Sequence, residues 1–234
     1  MRQATKNSTT RGRGGFSLIE VVVVVAILGI LAALGTPRLQ EFFAQLRLRS
    51  SARSVADLFL LARSDAIRTG NAQILYFSAA PAGSPPATDP SGNSLGIDAA
   101  TGGTLPAISM NGGLLGAIDC TIDAGDTQRS IPPAAGIGWG PAVSAVAAPG
   151  DSGAGDRTTG SSFATAAGTS VTWVLFRPDG IPVTFDSGCN EGSVGEGGGA
   201  IYLNNGLRDY AVVLSPLGMV KVHAFNAGSA AWTQ

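Results

Sequence analysis

A single carboxylate, Glu20, lies inside an otherwise apolar stretch that runs from Phe16 to Gly35. This stretch of 20 residues would extend about 30 Å as a helix, enough to cross the hydrocarbon core of a bilayer. An uncompensated acid in such a segment costs several kcal/mol, so its presence there indicates a specific role. The chemistry that suits Glu20 is pairing with a cation, because a low dielectric strengthens the attraction between opposite charges.

The residues before this stretch form a short basic leader. Residues 1–15 contain no acid and four basic side chains, Arg2, Lys6, Arg11 and Arg13. The positive-inside rule keeps this leader on the cytoplasmic side, so that the chain after about Pro37 faces the periplasm. A chain that begins at Phe16 keeps 11 of the 15 Lys and Arg residues against 16 Asp and Glu residues, a net charge of −5.

The junction between leader and apolar stretch, residues 14–20, reads Gly-Gly-Phe-Ser-Leu-Ile-Glu. It resembles the type IV prepilin signature, in which a Gly-Phe junction precedes a Ser or Thr, a Leu and a Glu. The resemblance implies that a prepilin peptidase cuts after Gly15 and methylates the new amino terminus at Phe16. It also implies that Glu20 pairs with the ammonium on Phe16 of a neighbouring subunit during assembly.

Two other interpretations compete for this segment. A secretory signal peptide has an apolar core of about 7–15 residues and an A-x-A-like cleavage site, whereas this stretch is longer. An ordinary membrane anchor explains the length, but it explains neither Glu20 nor the junction between Gly15 and Phe16.

The pattern predicts one long helix over residues 16–69, with a transmembrane half at 16–36 and an amphipathic half at 37–69. The second half carries apolar residues at alternating spacings of four and three, which form one stripe on a helix. These residues are Leu48, Ala52, Val55, Phe59, Ala62 and Ala66. Phe59 is expected to be buried in the middle of the stripe, and Thr69-Gly70-Asn71 to end the helix.

Strand patterns return after the helix and again towards the C-terminus. The turn Arg177-Pro178-Asp179-Gly180 fits between two strands, because Pro presets φ and Gly accepts a positive φ. The expected fold is α+β and type IV pilin-like, with the long N-terminal helix packed on a C-terminal antiparallel sheet. The main predicted strands are 73–77, 171–176, 181–185, 200–203, 210–214 and 219–225.

Residues 78–169 form a loop-rich insertion in this plan. They are rich in Ala, Gly, Ser and Pro, and only 107–110 and 117–122 resemble short strands. The part from 140 to 169 is close to low complexity and is predicted to be a mobile loop. Shortening it should therefore barely alter folding, because loop-closure entropy changes slowly with length.

Several motifs narrow the resemblance to the GspH/FimT group of minor pilins and pseudopilins. They are residues 47–52 (RLRSSA) and 61–71 (LARSDAIRTGN) on the helix, and 176–180 (FRPDG) and 213–218 (VLSPLG) near the C-terminus. The resemblance covers about 16–77 and 170–226. The implied domains are a cleaved leader (1–15), the two helix halves, and a periplasmic head (70–234) that contains the 78–169 insertion.

The sequence offers little for catalysis. His223 is the only histidine, which excludes two-histidine zinc motifs, and neither Lys6 nor Lys221 lies in a P-loop. The chain is therefore predicted not to be an enzyme and to need no cofactor or metal. Three acidic residues, Asp119, Asp123 and Asp126, do not match the EF-hand spacing and favour a solvated loop. Some pseudopilins bind calcium in loops, so that alternative stays open.

The two cysteines, Cys120 and Cys189, have two interpretations. In an oxidising periplasm they could form a disulfide, which we favour. They could also be two unpaired buried thiols, because the sequence does not show how close they are.

The resemblance implies a structural and assembly-priming subunit at or near the tip of a type II secretion pseudopilus or a type IV pilus. It would lie in the inner membrane with a cytoplasmic N-terminus and a periplasmic head, and then in the filament. The implied partners are other pilins or pseudopilins, the prepilin peptidase, the inner-membrane assembly platform and membrane lipid. One alternative is a tip adhesin that uses residues 78–169.

A second alternative is a DNA-binding minor pilin in DNA uptake. Some members of the group carry a G-R-x-R element on the last hairpin, where this chain has Gly218-Met219-Val220-Lys221. Both arginines are replaced, and the mature chain is net acidic, whereas phosphate binding needs a cationic surface. The sequence therefore disfavours nucleic acid as a partner.

Overall fold

The structure is a computed structural model that describes residues 17–76, 105–108, 128–131, 136–171, 173–184 and 191–234. The chain divides into two compact units, Met1–Phe43 and Ala44–Gln234. One long helix, α1 (Leu18–Thr69), contributes residues to both.

Ten strands follow α1 in the described residues. They are β1 (Gln73–Tyr76), β2 (Leu105–Ile108), β3 (Gln128–Ile131), β4 (Gly138–Trp139), β5 (Trp173–Phe176), β6 (Pro182–Val183), β7 (Gly199–Asn204), β8 (Asp209–Leu214), β9 (Val220–Asn226) and β10 (Ala231–Thr233). They form a three-stranded sheet (β1-β5-β6), a five-stranded sheet (β10-β9-β8-β7-β4) and a pair (β2-β3). Every pairing is antiparallel.

The predicted apolar stripe of the second helix half is the helix side of the core. All six residues of the stripe are buried, and Phe59 is fully buried in the middle, as expected. Its ring lies against Phe176 of β5 and Phe163, with centroid distances of 6.4 and 6.2 Å. The helix ends as the sequence predicts, because Gly70 takes a positive φ of 69° and its N–H donates to the carbonyl of Ala66.

The five-stranded sheet is buried on both faces, and its residues alternate between two cores. Ile201, Leu203, Val212 and Leu214 join the stripe of α1 in the larger core. Their neighbours along the same strands point the other way and form a second, smaller cluster. That cluster contains Ala200, Tyr202, Ala211 and Val213, with Ala148 and Trp232.

The prediction for residues 140–169 is wrong: the sequence indicated a mobile loop whose shortening would barely alter folding. Phe163 is fully buried in the larger core and lies on Gly199, where a Cβ would come within 2.7 Å of its ring. Ser162 donates its N–H to the carbonyl of Ala200, and Tyr202 donates to the carbonyl of Gly160. The segment is irregular, but it pairs with β7 and fills the core.

The α+β, type IV pilin-like fold is confirmed, with the second half of one long N-terminal helix packed on antiparallel sheets. The main strands lie within two residues of their predicted starts. Three strands, β3, β4 and β10, were not predicted from the sequence. Because β10 pairs with β9, His223 lies in an inner strand of the five-stranded sheet. The predicted strand at 117–122 lies outside the described residues.

Candidate functional site

Glu20 lies in the first turn of α1, which begins immediately after Ser17. The carbonyl of Ser17 accepts hydrogen bonds from the backbone N–H groups of Glu20 (3.0 Å) and Val21 (3.2 Å). The Glu20 side chain is exposed. A carboxylate at a helix N-terminus interacts favourably with the helix dipole.

The surroundings of Glu20 are apolar and exposed. The large apolar side chains from Leu18 to Leu31 are 49–82% exposed in the chain alone. The most apolar window of α1 has a mean hydropathy of 2.8, and none of it is buried, so this helix is long and apolar enough to cross a membrane. Such a surface needs a covering, and a bilayer or neighbouring apolar helices supply one.

Among the described residues, no ion pair includes Glu20. The first described basic residue along α1 is Arg38, 18 positions later, which corresponds to about 27 Å of helix. Arg38 itself lies 3.8 Å from Glu41, and both side chains are largely exposed. If Glu20 is charged in an apolar medium, its counter-ion must therefore come from residues before Ser17 or from another molecule.

The other predicted site residues lie outside the described part of the chain. These are Gly15 and Phe16 at the cleavage junction, Cys120 and Cys189, and the acidic group Asp119, Asp123 and Asp126. The cleavage site, the disulfide and the alternative of a calcium loop all remain predictions.

His223 is buried in β9 between β8 and β10. Its Nε2 atom has no hydrogen-bond partner, and burial, together with the nearby Lys221, lowers its pKa. Within the described ranges, no three His, Cys, Asp or Glu side chains form a group that could hold a metal ion.

Three motifs that were distant in the sequence meet around Arg63. The guanidinium of Arg63 donates to the carbonyl of Gly218 at 2.9 Å. A Cβ on Gly180 would come within 2.7 Å of Ile67 and 3.2 Å of Arg63, and both glycines have positive φ. The helix motif, the 177–180 turn and the 215–218 turn therefore fit one another. Gly218, the first residue of the Gly218-Met219-Val220-Lys221 stretch, is thus held by a structural contact with α1.

Two aspartates that the sequence analysis did not select hold the irregular segment on the sheet. Asp209 is fully buried and accepts the backbone N–H groups of Ala142, Val143 and Ser144 at 2.5–2.9 Å. Asp151 accepts the hydroxyl of Tyr202 at 2.6 Å; burial and this hydrogen bond raise the pKa of Tyr202. A lone Asp next to a Gly-rich turn gives too weak a signal to identify such contacts.

Comparisons with known proteins agree with the N-terminal half of this description. The profile of the prokaryotic N-terminal methylation motif matches residues 10–36, which include the leader junction, Glu20 and the exposed apolar part of α1. The chain matches none of the curated proteins and none of the solved structures. The motif supports a type IV pilin-like protein, a subunit of pilin or pseudopilin type that prepilin peptidase processes.

Proposed function

We propose that this chain is a minor pilin or pseudopilin of the GspH/FimT type. It acts as a structural and assembly-priming subunit at or near the tip of a type II secretion pseudopilus or a type IV pilus. The observation that carries this proposal is the methylation motif at 10–36. Glu20, which forms no ion pair within the described residues, and the exposed apolar helix around it support the proposal.

Processing removes the basic leader. Prepilin peptidase cuts between Gly15 and Phe16 and methylates the new N-terminus, so that Glu20 becomes the fifth residue of the mature chain. Before assembly, the apolar half of α1 crosses the inner membrane with the head in the periplasm, as the basic leader requires.

The role of Glu20 is recruitment into the filament. Its carboxylate pairs with the ammonium of Phe16 on a neighbouring subunit, which is a cation that the described part of its own chain does not provide. Two opposite charges in an apolar medium attract strongly, whereas either charge alone is costly there. The pair therefore favours the assembled state over the isolated subunit in the membrane.

The head contributes packing and presentation of a surface, not turnover of a substrate. The meeting of Arg63, Gly180 and Gly218 supports assignment to the GspH/FimT type, because these residues belong to three of the four motifs on which the resemblance depends. Their contacts join the end of α1 to two turns of the head. The last part of α1 and the head thus belong to the same compact unit, Ala44–Gln234.

Mass spectrometry of filament material tests the processing. The expected N-terminus is N-methylated Phe16, and a bulky or charged residue in place of Gly15 should block cleavage more than Gly15→Ala. An intact Met1 terminus in assembled material would contradict the proposal.

Fractionation of cells that express Glu20→Ala tests the recruitment. The variant should insert into the inner membrane as well as the native chain, because removing a charge from a membrane segment favours insertion. It should be lost from the filament fraction, whereas Val22→Ala, a control in the exposed apolar part of the same helix, should be incorporated normally. Normal incorporation of Glu20→Ala would show that no such charge pair operates.

A further inference from the structure

A second stripe lies on α1 beside the buried one, a little more than a quarter of a turn around the helix. Its positions are also spaced alternately by three and four residues, and all belong to the Ala44–Gln234 unit. We call it the lateral stripe; it consists of Leu46, Arg49, Arg53, Ala56, Leu60, Arg63 and Ile67. Alternating spacings of three and four form the seam through which two helices pack.

The lateral stripe exposes large apolar side chains to solvent. Leu46, Leu60 and Ile67 are 46%, 50% and 54% exposed, although the neighbouring stripe of α1 is buried in the larger core. Leu60 and Ile67, together with Ser64 and Arg68, line an open groove of about 420 Å³. Apolar side chains aligned along one face, with polar groups at the rim, are typical of an interaction surface.

The stripe is also basic and contains no acid. Arg49 and Arg53 are exposed, and neither forms an ion pair within the described ranges. Asp57 is four residues after Arg53 but does not pair with it. Arg63 is engaged with the carbonyl of Gly218. Two arginines therefore remain available for a partner's carboxylates.

We infer that the lateral stripe docks an amphipathic helix of a different pilin-type subunit. Apolar residues of that helix lie against Leu46, Leu60 and Ile67, and its Asp or Glu residues lie opposite Arg49 and Arg53. This inference rests on the proposed function in one respect, that the partner is another subunit of the same filament.

Charge complementarity selects a different subunit over a second copy. Two copies that join through this stripe bring arginines against arginines with no acid between them, and like charges across an interface cost several kcal/mol. A helix with carboxylates at the facing positions instead forms charge-assisted hydrogen bonds with the guanidinium groups. The stripe thus favours a mixed pair of subunits over a run of identical ones.

Site-specific photo-crosslinking in cells tests this with the full chain and the native set of filament subunits. A photo-reactive residue replaces Leu60 on the stripe, and in a separate variant it replaces Leu28 in the apolar half of α1. The Leu60 probe should capture one pilin-type subunit with a different sequence, and peptide mapping should place the crosslink on a helix with acidic residues. The Leu28 probe reports independently whether the chain meets any pilin at all.

Charge reversal makes the test specific. The double substitution Arg49→Glu with Arg53→Glu should lower the yield of the Leu60 crosslink by at least about tenfold, the factor that corresponds to about 1.4 kcal/mol. Reversing the partner's facing acids to Lys should restore it. The matched control is Arg47→Glu, because Arg47 is equally an exposed arginine of α1 but lies off the stripe. Equal thermal melting of the variants would exclude a folding defect.

The outcomes separate the two proposals. A Leu60 crosslink only to further copies of this chain, or one that the double charge reversal leaves unchanged, overturns the inference. Crosslinks from Leu28 without any from Leu60 overturn it as well, while the proposed function stands. Failure of both probes to capture any pilin contradicts the proposed function itself.

Discussion

The two faces of the five-stranded sheet are covered by layers of different kinds. The second half of α1 covers one face with a regular apolar stripe, and its backbone groups are satisfied within the helix. Residues 140–151 cover the other face without regular structure, and side chains of the sheet hold their backbone. Asp209 accepts three N–H groups, and Asn204 donates to the carbonyls of Trp139 and Gly140.

This difference follows from the need to satisfy buried backbone polar groups. A helix meets that need by itself and can present a purely apolar face. An irregular segment cannot, so polar side chains must supply the missing partners. The helix layer therefore depends mainly on buried apolar area, and the irregular layer on directional hydrogen bonds. Substitutions in the helix layer and in the irregular layer should therefore lower stability by different amounts.

The largest effect is expected from removing the irregular segment. Deletion of residues 140–169 takes Phe163 out of the larger core and uncovers Tyr202, so the Ala44–Gln234 unit should not fold cooperatively. Loss of the unfolding transition in circular dichroism would show this. As a control, Ala166→Ser with Ala167→Ser changes only exposed residues of the same segment and should be nearly neutral. A cooperative melt of the deletion variant would restore the interpretation as a dispensable loop.

The next largest loss of stability is expected on the face of the sheet that α1 covers. Phe59→Ala should lower the free energy of unfolding by about 3–5 kcal/mol, because truncation of a buried Phe removes apolar contacts and leaves a cavity. Urea unfolding of the Ala44–Gln234 unit measures it. Leu60→Ala, one residue further and half exposed, should cost no more than about 0.5 kcal/mol. Equal losses of stability for Phe59→Ala and Leu60→Ala would mean that α1 does not turn the stripe containing Phe59 towards the core.

Phe59 and Phe163 show what the sequence could and could not predict. Phe59 repeats with the period of a helix, so its burial was predictable from spacing alone. Phe163 is just as buried, but it is a lone aromatic among Ser, Ala, Thr and Gly, and no period marks it. Its place depends on Gly199 in a strand 36 residues later, which is a tertiary contact without local signal.

The candidate site divides in the same way. Glu20 was predictable, because one acid in an apolar run stands out by composition. The turns at Gly180 and Gly218 were also predictable, since Pro and Gly determine local φ. Asp209 was not, because an aspartate beside a turn has the same sequence whether it is solvated or buried against three N–H groups.

A smaller loss is expected at Asp209. Asp209→Ala leaves the N–H groups of Ala142, Val143 and Ser144 without their acceptor and should cost about 2–3 kcal/mol. Thermal and urea unfolding measure the loss, and hydrogen exchange at these three amides should rise. Asp57→Ala on the exposed face of α1 is the matched control and should leave both quantities unchanged. Unchanged exchange at residues 142–144 would contradict the role of Asp209.

The hydroxyl of Tyr202 should contribute less to the free energy of unfolding than Asp209 does. It donates to Asp151 and accepts from the N–H of Ala148 at 3.0 Å, so Tyr202→Phe removes two hydrogen bonds but keeps the buried ring. The expected loss is about 1–2 kcal/mol in urea unfolding. Tyr210→Phe, on the other face of the same sheet, is the control. If both substitutions have the same effect, the hydroxyl of Tyr202 does not hold the segment.

The smallest effect, and the only one that depends on pH, concerns His223 under the irregular layer. Burial and Lys221 lower its pKa below the usual 6.5, so the folded chain binds a proton less readily than the unfolded chain does. Stability from this residue is therefore complete above about pH 6.5 and decreases as the pH falls below it, at no more than about 1.4 kcal/mol per pH unit. Urea unfolding between pH 7.5 and pH 5 measures the slope.

The control must separate the contribution of His223 from other effects of acid on the folded chain. His223→Gln removes the titration but keeps a polar side chain of similar size, so its stability should vary less with pH over this range than that of the native chain. Because the imidazole is buried in β9 beside Ala211, its protonation should open this part of the sheet first. Hydrogen exchange should then increase in β9 before it does in β5. Parallel pH profiles for the native chain and His223→Gln would mean that His223 binds protons equally in the folded and unfolded chains, which would contradict its lowered pKa.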